Sequence, residues 1–147
     1  MKDLEKDIEQ LSIKIEEIVE EAKAYSIYDF IQEGIKITTI RRFIQKEKSI
    51  FSISTDTIRN ICLVVDNKNT ENKACFYEIN HVLSDFVESH INILDNKTLI
   101  DIGITKGTLD KMRRNKLGMS YNLNTLIKYA RIIDDWRGGQ REEPIQA

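Results

Sequence analysis

Leu4, Ile8, Leu11, Ile15, Ile18, Ala22 and Tyr25 recur in alternating steps of four and three residues. This spacing predicts a helix from about Asp3 to Ala24. β-Branched isoleucine recurs at one seam position and Leu or Ile at the other, which suits a two-stranded parallel coil. A homodimer through Ile8, Leu11, Ile15 and Ile18 is therefore one expectation. Ile13 and Val19 widen the stripe, as in a helix that packs on its own domain, and this is the alternative.

From Glu33 onward the apolar pattern repeats at an interval near 69 residues. In the first copy Gly34-Ile35 is followed by Thr39-Ile40, Phe43, Thr57-Ile58, Ile61-Cys62 and Val64-Val65-Asp66. In the second, Gly103-Ile104 is followed by Thr108-Leu109, Met112, Thr125-Leu126, Tyr129-Ala130 and Ile132-Ile133-Asp134. One residue of length difference, before Thr57 and Thr125, is the only gap required. Repeats of this kind expose architecture more reliably than a short motif does.

Between the copies, Asp66 to Lys73 carries no apolar residue to bury, so it reads as a linker. Beyond it, Phe76, Ile79, Val82, Leu83, Phe86, Val87 and Ile91 recur at helical spacing and give the second copy its own first helix. The expected organisation is an N-terminal helical unit over 1–66, a linker over 67–74, a second unit over 75–136 and a flexible tail over 137–147. The tail holds Gly138-Gly139 and the one proline, Pro144. Nothing punctuates the long periodic segments, which favours an all-α fold.

The 41% apolar content of 147 residues suffices for a real core. A net charge of −2 argues against a protein that coats nucleic acid through global positive charge. Cys62 and Cys75 sit beside apolar residues and form no metal-binding pattern, so they read as reduced core thiols. His81 and His90 form no ligand pair and read as solvated or locally bonded. No apolar stretch approaches the roughly 20 residues that cross a bilayer. A cytoplasmic protein with no membrane partner, metal or cofactor is expected. No phosphate loop or nucleophile with a positioned base is apparent, so an enzyme is not expected.

Charge is nevertheless uneven. Gly103 to Lys116 carries five basic residues against one acid, whereas Met1 to Glu33 carries four lysines against ten acids. The basic stretch follows a short helix around Thr98 to Ile102 and a turn at Gly103-Ile104. Thr105 is placed to cap the next helix, and Gly103 permits the tight turn. Leu109 and Met112 face inward with Ile104, leaving Lys106, Gly107, Asp110, Lys111, Arg113 and Arg114 on other faces. A solvated lysine-rich helix face is the plain alternative.

The run Ile104-Thr105-Lys106-Gly107-Thr108-Leu109-Asp110-Lys111-Met112-Arg113-Arg114-Asn115-Lys116, with Leu123 to Ile133 after it, resembles the Cro/CI-type (XRE, lambda-repressor-like) helix-turn-helix. The resemblance spans roughly Asn96 to Asp134, with Asn115 at the turn position, where a left-handed conformation is tolerated. It implies a helix from Lys106 to Arg114 laid in the major groove of double-stranded DNA. Lys106 and Asp110 become candidates for reading bases, Lys111, Arg113, Arg114 and Lys116 candidates for phosphates, and Thr105 and Gly107 further DNA-binding candidates beside them.

The first copy departs from this pattern. Ile37 stands where the second copy has Lys106, Lys46 takes the turn position of Asn115, and Glu47 replaces Lys116. An isoleucine at a base-reading position contacts a thymine methyl or, more often, packs on protein. Lys36, Thr38, Arg41, Arg42 and Lys46 are accordingly weaker DNA candidates. Two such units in one chain suit two half-sites about one helical turn apart.

The resemblance thus implies two tandem helix-turn-helix units and a small transcriptional regulator of a phage, plasmid or other mobile element, acting by occupying an operator. Two alternatives stand beside it. One is a protein-interaction module, inhibitor or adaptor, using the acidic first helix and the first copy. The other is a DNA-binding accessory factor of plasmid transfer or recombination, since the same domain serves all these roles.

Overall fold

A computed structural model describes residues 3–45, 51–68, 75–108 and 122–142. These residues form helices α1 (Leu4–Lys23), α2 (Ile27–Gln32), α3 (Ile37–Gln45), α4 (Thr55–Lys68), α5 (Cys75–His90), α6 (Asn96–Asp101) and α7 (Leu123–Glu142). Among the described residues the only β pairing is an isolated antiparallel bridge between Ser54 and Asn122. The chain is all-α, and none of its described helices is long and apolar enough to cross a membrane.

α1 begins at Asp3, whose carboxylate accepts the N–H groups of Glu5 and Lys6, and ends at Ala24. Its heptad seam is buried inside the chain: Ile8, Leu11, Ile15 and Ile18 are all at most 7% exposed. α1 packs on α3, α4, α5 and α7. The seam expected to form a dimer is thus the core-facing stripe of one chain, and Val19, also buried, belongs to it. Ile13, by contrast, points outward.

Apolar side chains of both halves form one continuous core, from Leu4 and Ile8 through Ile58, Cys62 and Val65 to Ile79, Leu83, Leu126 and Ile133. α4 packs on α5, and α7 packs on both α1 and α5. Asp66, expected in a linker, lies in the last turn of α4 and caps the next helix. Its two carboxylate oxygens accept the N–H groups of Cys75 and Phe76, each at 2.9 Å. These are two of the N–H groups that a helix start leaves without an internal partner. The Cys62 and Cys75 sulfurs meet at 3.0 Å beneath this cap.

His90 is also placed differently from the expectation of a solvated or locally bonded ring. It is 6% exposed, and its Nε2 lies 2.6 Å from Asp7 Oδ2 on α1. The tail likewise departs from expectation, because α7 continues through Gly138-Gly139 to Glu142. Each glycine weakens a helix by about 1 kcal/mol without ending it, and no proline intervenes before Pro144.

The repeat seen in the sequence has a counterpart in the pattern of burial. Along the first helices, Leu11, Ile15, Ile18 and Val19 of α1 correspond to Ile79, Leu83, Phe86 and Val87 of α5, and all eight are buried. In the last helices, Ile58, Cys62 and Val65 of α4 correspond to Leu126, Ala130 and Ile133 of α7, again all buried.

Candidate nucleic-acid interface

α2 and α6 end in the same way. In α2 the Gly34 N–H donates to Ile31 O at 3.0 Å and the Ile35 N–H to Phe30 O at 3.1 Å. In α6 the Gly103 N–H donates to Ile100 O and the Ile104 N–H to Leu99 O, both at 3.0 Å. Crossed bonds of this kind, closed by a residue of positive φ, form a Schellman cap. Gly34 has φ of 89° and Gly103 of 112°, a region that L side chains avoid. The two positions whose apolar side chains commonly accompany such a cap are buried in both cases, Phe30 and Ile35 in one and Leu99 and Ile104 in the other.

The starts of the two short helices correspond as well. Ser26 Oγ accepts the Tyr28 N–H in α2, and Asp95 Oδ1 accepts the Thr98 N–H at 2.8 Å in α6. The Thr98 hydroxyl and, after it, the Thr98 N–H hold the Asp95 carboxyl below the usual carboxylate range.

Each turn delivers the chain into a second helix. In the first copy this is α3, anchored by buried Ile40 and Phe43. Lys36, Ile37, Thr38, Arg41 and Arg42 are exposed, Ile37 at 40%. Ile37 is therefore partly covered by the chain, with the rest of its surface open to solvent.

In the second copy Thr105 opens the helix, as its residue type suggested. Its hydroxyl donates to Thr108 Oγ1 at 2.7 Å and accepts the Thr108 N–H at 3.4 Å. Lys106, Gly107 and Thr108 are helical, with Thr105, Lys106 and Gly107 exposed and Ile104 buried. Asp110, Lys111, Arg113, Arg114 and Lys116 lie outside the described residues, as does Lys46 of the first copy.

The following helices, α4 and α7, start at the bridge. Ser54 Oγ accepts the Thr57 N–H at 3.1 Å, and Asn122 Oδ1 accepts the Asn124 N–H at 2.9 Å. Across the bridge the Leu123 N–H donates to Ile53 O at 3.0 Å, and the Asn124 N–H also donates to Phe51 O at 3.1 Å. Asn124 Nδ2 adds a bond to Ser52 Oγ at 3.0 Å. Sequence reasoning found neither this contact nor the Asp66 cap. The one legible hint was a capping residue type, Ser or Asn, directly ahead of each final helix.

A shallow groove between α1 and α5 is a separate surface feature. Ile13, Lys14, Tyr77, His81 and Val82 line it, with Lys14 bonded to Glu78 across the gap. Tyr77 is 70% exposed and stacks on the His81 ring at a centroid distance of 6.2 Å. Comparison of the chain with family models, curated proteins and solved structures returns no match.

Proposed function

We propose that this chain binds double-stranded DNA sequence-specifically through two tandem lambda-repressor-like helix-turn-helix units and acts, without enzymatic chemistry, as a small transcriptional regulator. The observation that carries this reading is the shared turn. Two short helices end in glycine-closed Schellman caps, and each leads into a second helix whose first turn is exposed and carries Ile37-Thr38 in one case and Lys106-Gly107 in the other.

The helix-turn-helix works by placing the N-terminal residues of its second helix at base edges while the flanking segments hold phosphates. Buried Ile35 and Ile40 fix α3 to the core, and buried Ile104 fixes the start of the helix that Thr105 opens. Positive charge is local, in Gly103 to Lys116 and at Arg41 and Arg42, as a near-neutral chain requires of a DNA site. Lys106 and Asp110 are assigned to bases, and Lys111, Arg113, Arg114 and Lys116 to phosphates.

Fluorescence anisotropy with duplexes tiling the region upstream of the coding sequence, at two salt concentrations, tests the proposal. Selective, salt-sensitive binding lost in a Lys106→Glu/Arg113→Glu/Arg114→Glu variant supports it. Weak binding indifferent to sequence and to the reversal overturns it.

The α1/α5 groove favours a second reading, a protein-interaction module, because Ile13 and Tyr77 are exposed there at 52% and 70%. A partner seated in that groove would be insensitive to the triple charge reversal and sensitive to Tyr77→Ala.

A further inference from the structure

The contacts between the two copies have the form of a symmetric dimer interface folded into one chain. In an isologous interface, a patch meets its own equivalent, and if element i of one unit touches element j of the other, j of the first touches i of the second. Three observations fit that definition approximately, with α4 packing on α5 more extensively than α7 packs on α1. The bridge joins Ser54 to Asn122, the residue that caps the final helix of one copy to the residue that caps the final helix of the other. The first helices, α1 and α5, pack on each other. The last helix of each copy also packs on the first helix of the other, α4 on α5 and α7 on α1. An antiparallel bridge has a local two-fold axis at its centre, and because the bridged residues occupy equivalent places, that local axis is the one we take to relate the copies.

Resting on the DNA-binding reading above, we infer that a single chain binds an imperfect inverted repeat with two unlike half-sites, α3 on one and the helix opened by Thr105 on the other. Such an axis sets the described first turns of the two second helices, at Ile37 to Thr39 and at Lys106 to Thr108, at the same height along it, which lets both meet one duplex whose own dyad coincides with it. The half-sites differ because equivalent positions carry different chemistry. Lys36, Ile37 and Thr38 stand in one copy where Thr105, Lys106 and Gly107 stand in the other, and all six are exposed. Ile37 presents an apolar surface suited to a thymine methyl, whereas Lys106 presents a cation suited to guanine acceptors. Association between chains is not needed, because the surfaces that would otherwise join two protomers are already buried within one. The α1 seam illustrates this, with Ile15 at 0% and Leu11 at 1% exposure.

The experiment is selection of the full-length chain against a duplex library with a randomised central region, followed by native mass spectrometry on the recovered duplexes. The expected result is one chain per duplex and a motif of two unlike half-sites with centres about 10 base pairs apart. Arg41→Glu should remove preference in one half-site and Lys106→Glu in the other, each weakening binding to the full motif about tenfold or more. Both residues are exposed, so thermal melts of the two variants should match the parent chain. Recovery of a single half-site dependent on Lys106 alone, or of a perfect palindrome carrying two chains, overturns the inference and leaves the DNA-binding reading standing. No enriched sequence at all overturns both.

Discussion

Ser54 and Asn122 occupy equivalent places in the two copies, each capping the helix that follows it, and they pair with one another across the antiparallel bridge. The junction of the copies therefore runs through the start of both final helices. Removing one cap, by Ser54→Ala or Asn122→Ala, should cost about 1 kcal/mol. Because the core is continuous, unfolding should remain one transition. In urea, the fluorescence of Trp136, which reports on α7, should follow the same curve as far-UV circular dichroism, which reports on every helix. Separated curves would mean that the copies unfold as independent domains.

The two turn glycines offer a cleaner test of backbone conformation. A Cβ added at Gly34 or Gly103 meets nothing within 4 Å, so only the positive φ opposes it. Gly34→Ala and Gly103→Ala should each destabilise by about 1–2 kcal/mol, measured by chemical denaturation. A stabilised or unchanged protein would contradict the geometry of the caps.

Asp66 makes two bonds to the start of α5 from the end of α4. Asp66→Ala leaves both N–H groups without that partner and should cost about 2 kcal/mol. Asp66→Asn keeps one acceptor and should recover part of the loss. Equal denaturation midpoints for the parent chain and Asp66→Ala would show that the cap is unimportant.

Acid should distinguish the two short helices. The Asp95 carboxyl is held below its usual range by the Thr98 hydroxyl and N–H. A depressed folded-state value means that the bond's contribution is complete above the ordinary carboxylate range and is lost as pH falls through the lowered value. The Thr98 amide shift should therefore titrate in that acidic window. The Tyr28 amide, bonded to the hydroxyl of Ser26, should show no titration from its own cap. A Thr98 amide that does not respond would remove Asp95 as the cap.

Much of this arrangement was legible in residue spacing. The 3.6-residue pattern located α1 and α5, and Gly34-Ile35 with Gly103-Ile104 marked both turns, because only a glycine readily adopts the positive φ that such a cap needs. Residue type at Thr105 announced the helix start. What escaped were contacts between residues far apart in the chain. Asp66 looked like part of a polar connector, because a carboxylate that caps a helix through space has the same sequence signature as a solvated one. His90 looked like a solvated or locally bonded ring, and its partner Asp7 lies 83 residues away. The α1 seam was ambiguous for a physical reason: a heptad stripe is equally buried by a second chain or by the chain's own α4, α5 and α7. Charge marked the basic stretch through Lys116, and its residues from Leu109 onward lie outside the described residues.

The central claim, that the exposed first turns of the two second helices are the DNA-binding surface, is tested most directly by amide shift mapping. The isotopically labelled full-length chain would be titrated with a duplex recovered by selection and, separately, with a scrambled duplex of the same composition. The account predicts large, saturable shifts at Lys36 to Arg42 and Thr105 to Thr108 with the selected duplex only. Shifts confined to Ile13, Tyr77 and His81 in the α1/α5 groove, or equal responses to both duplexes, would contradict it.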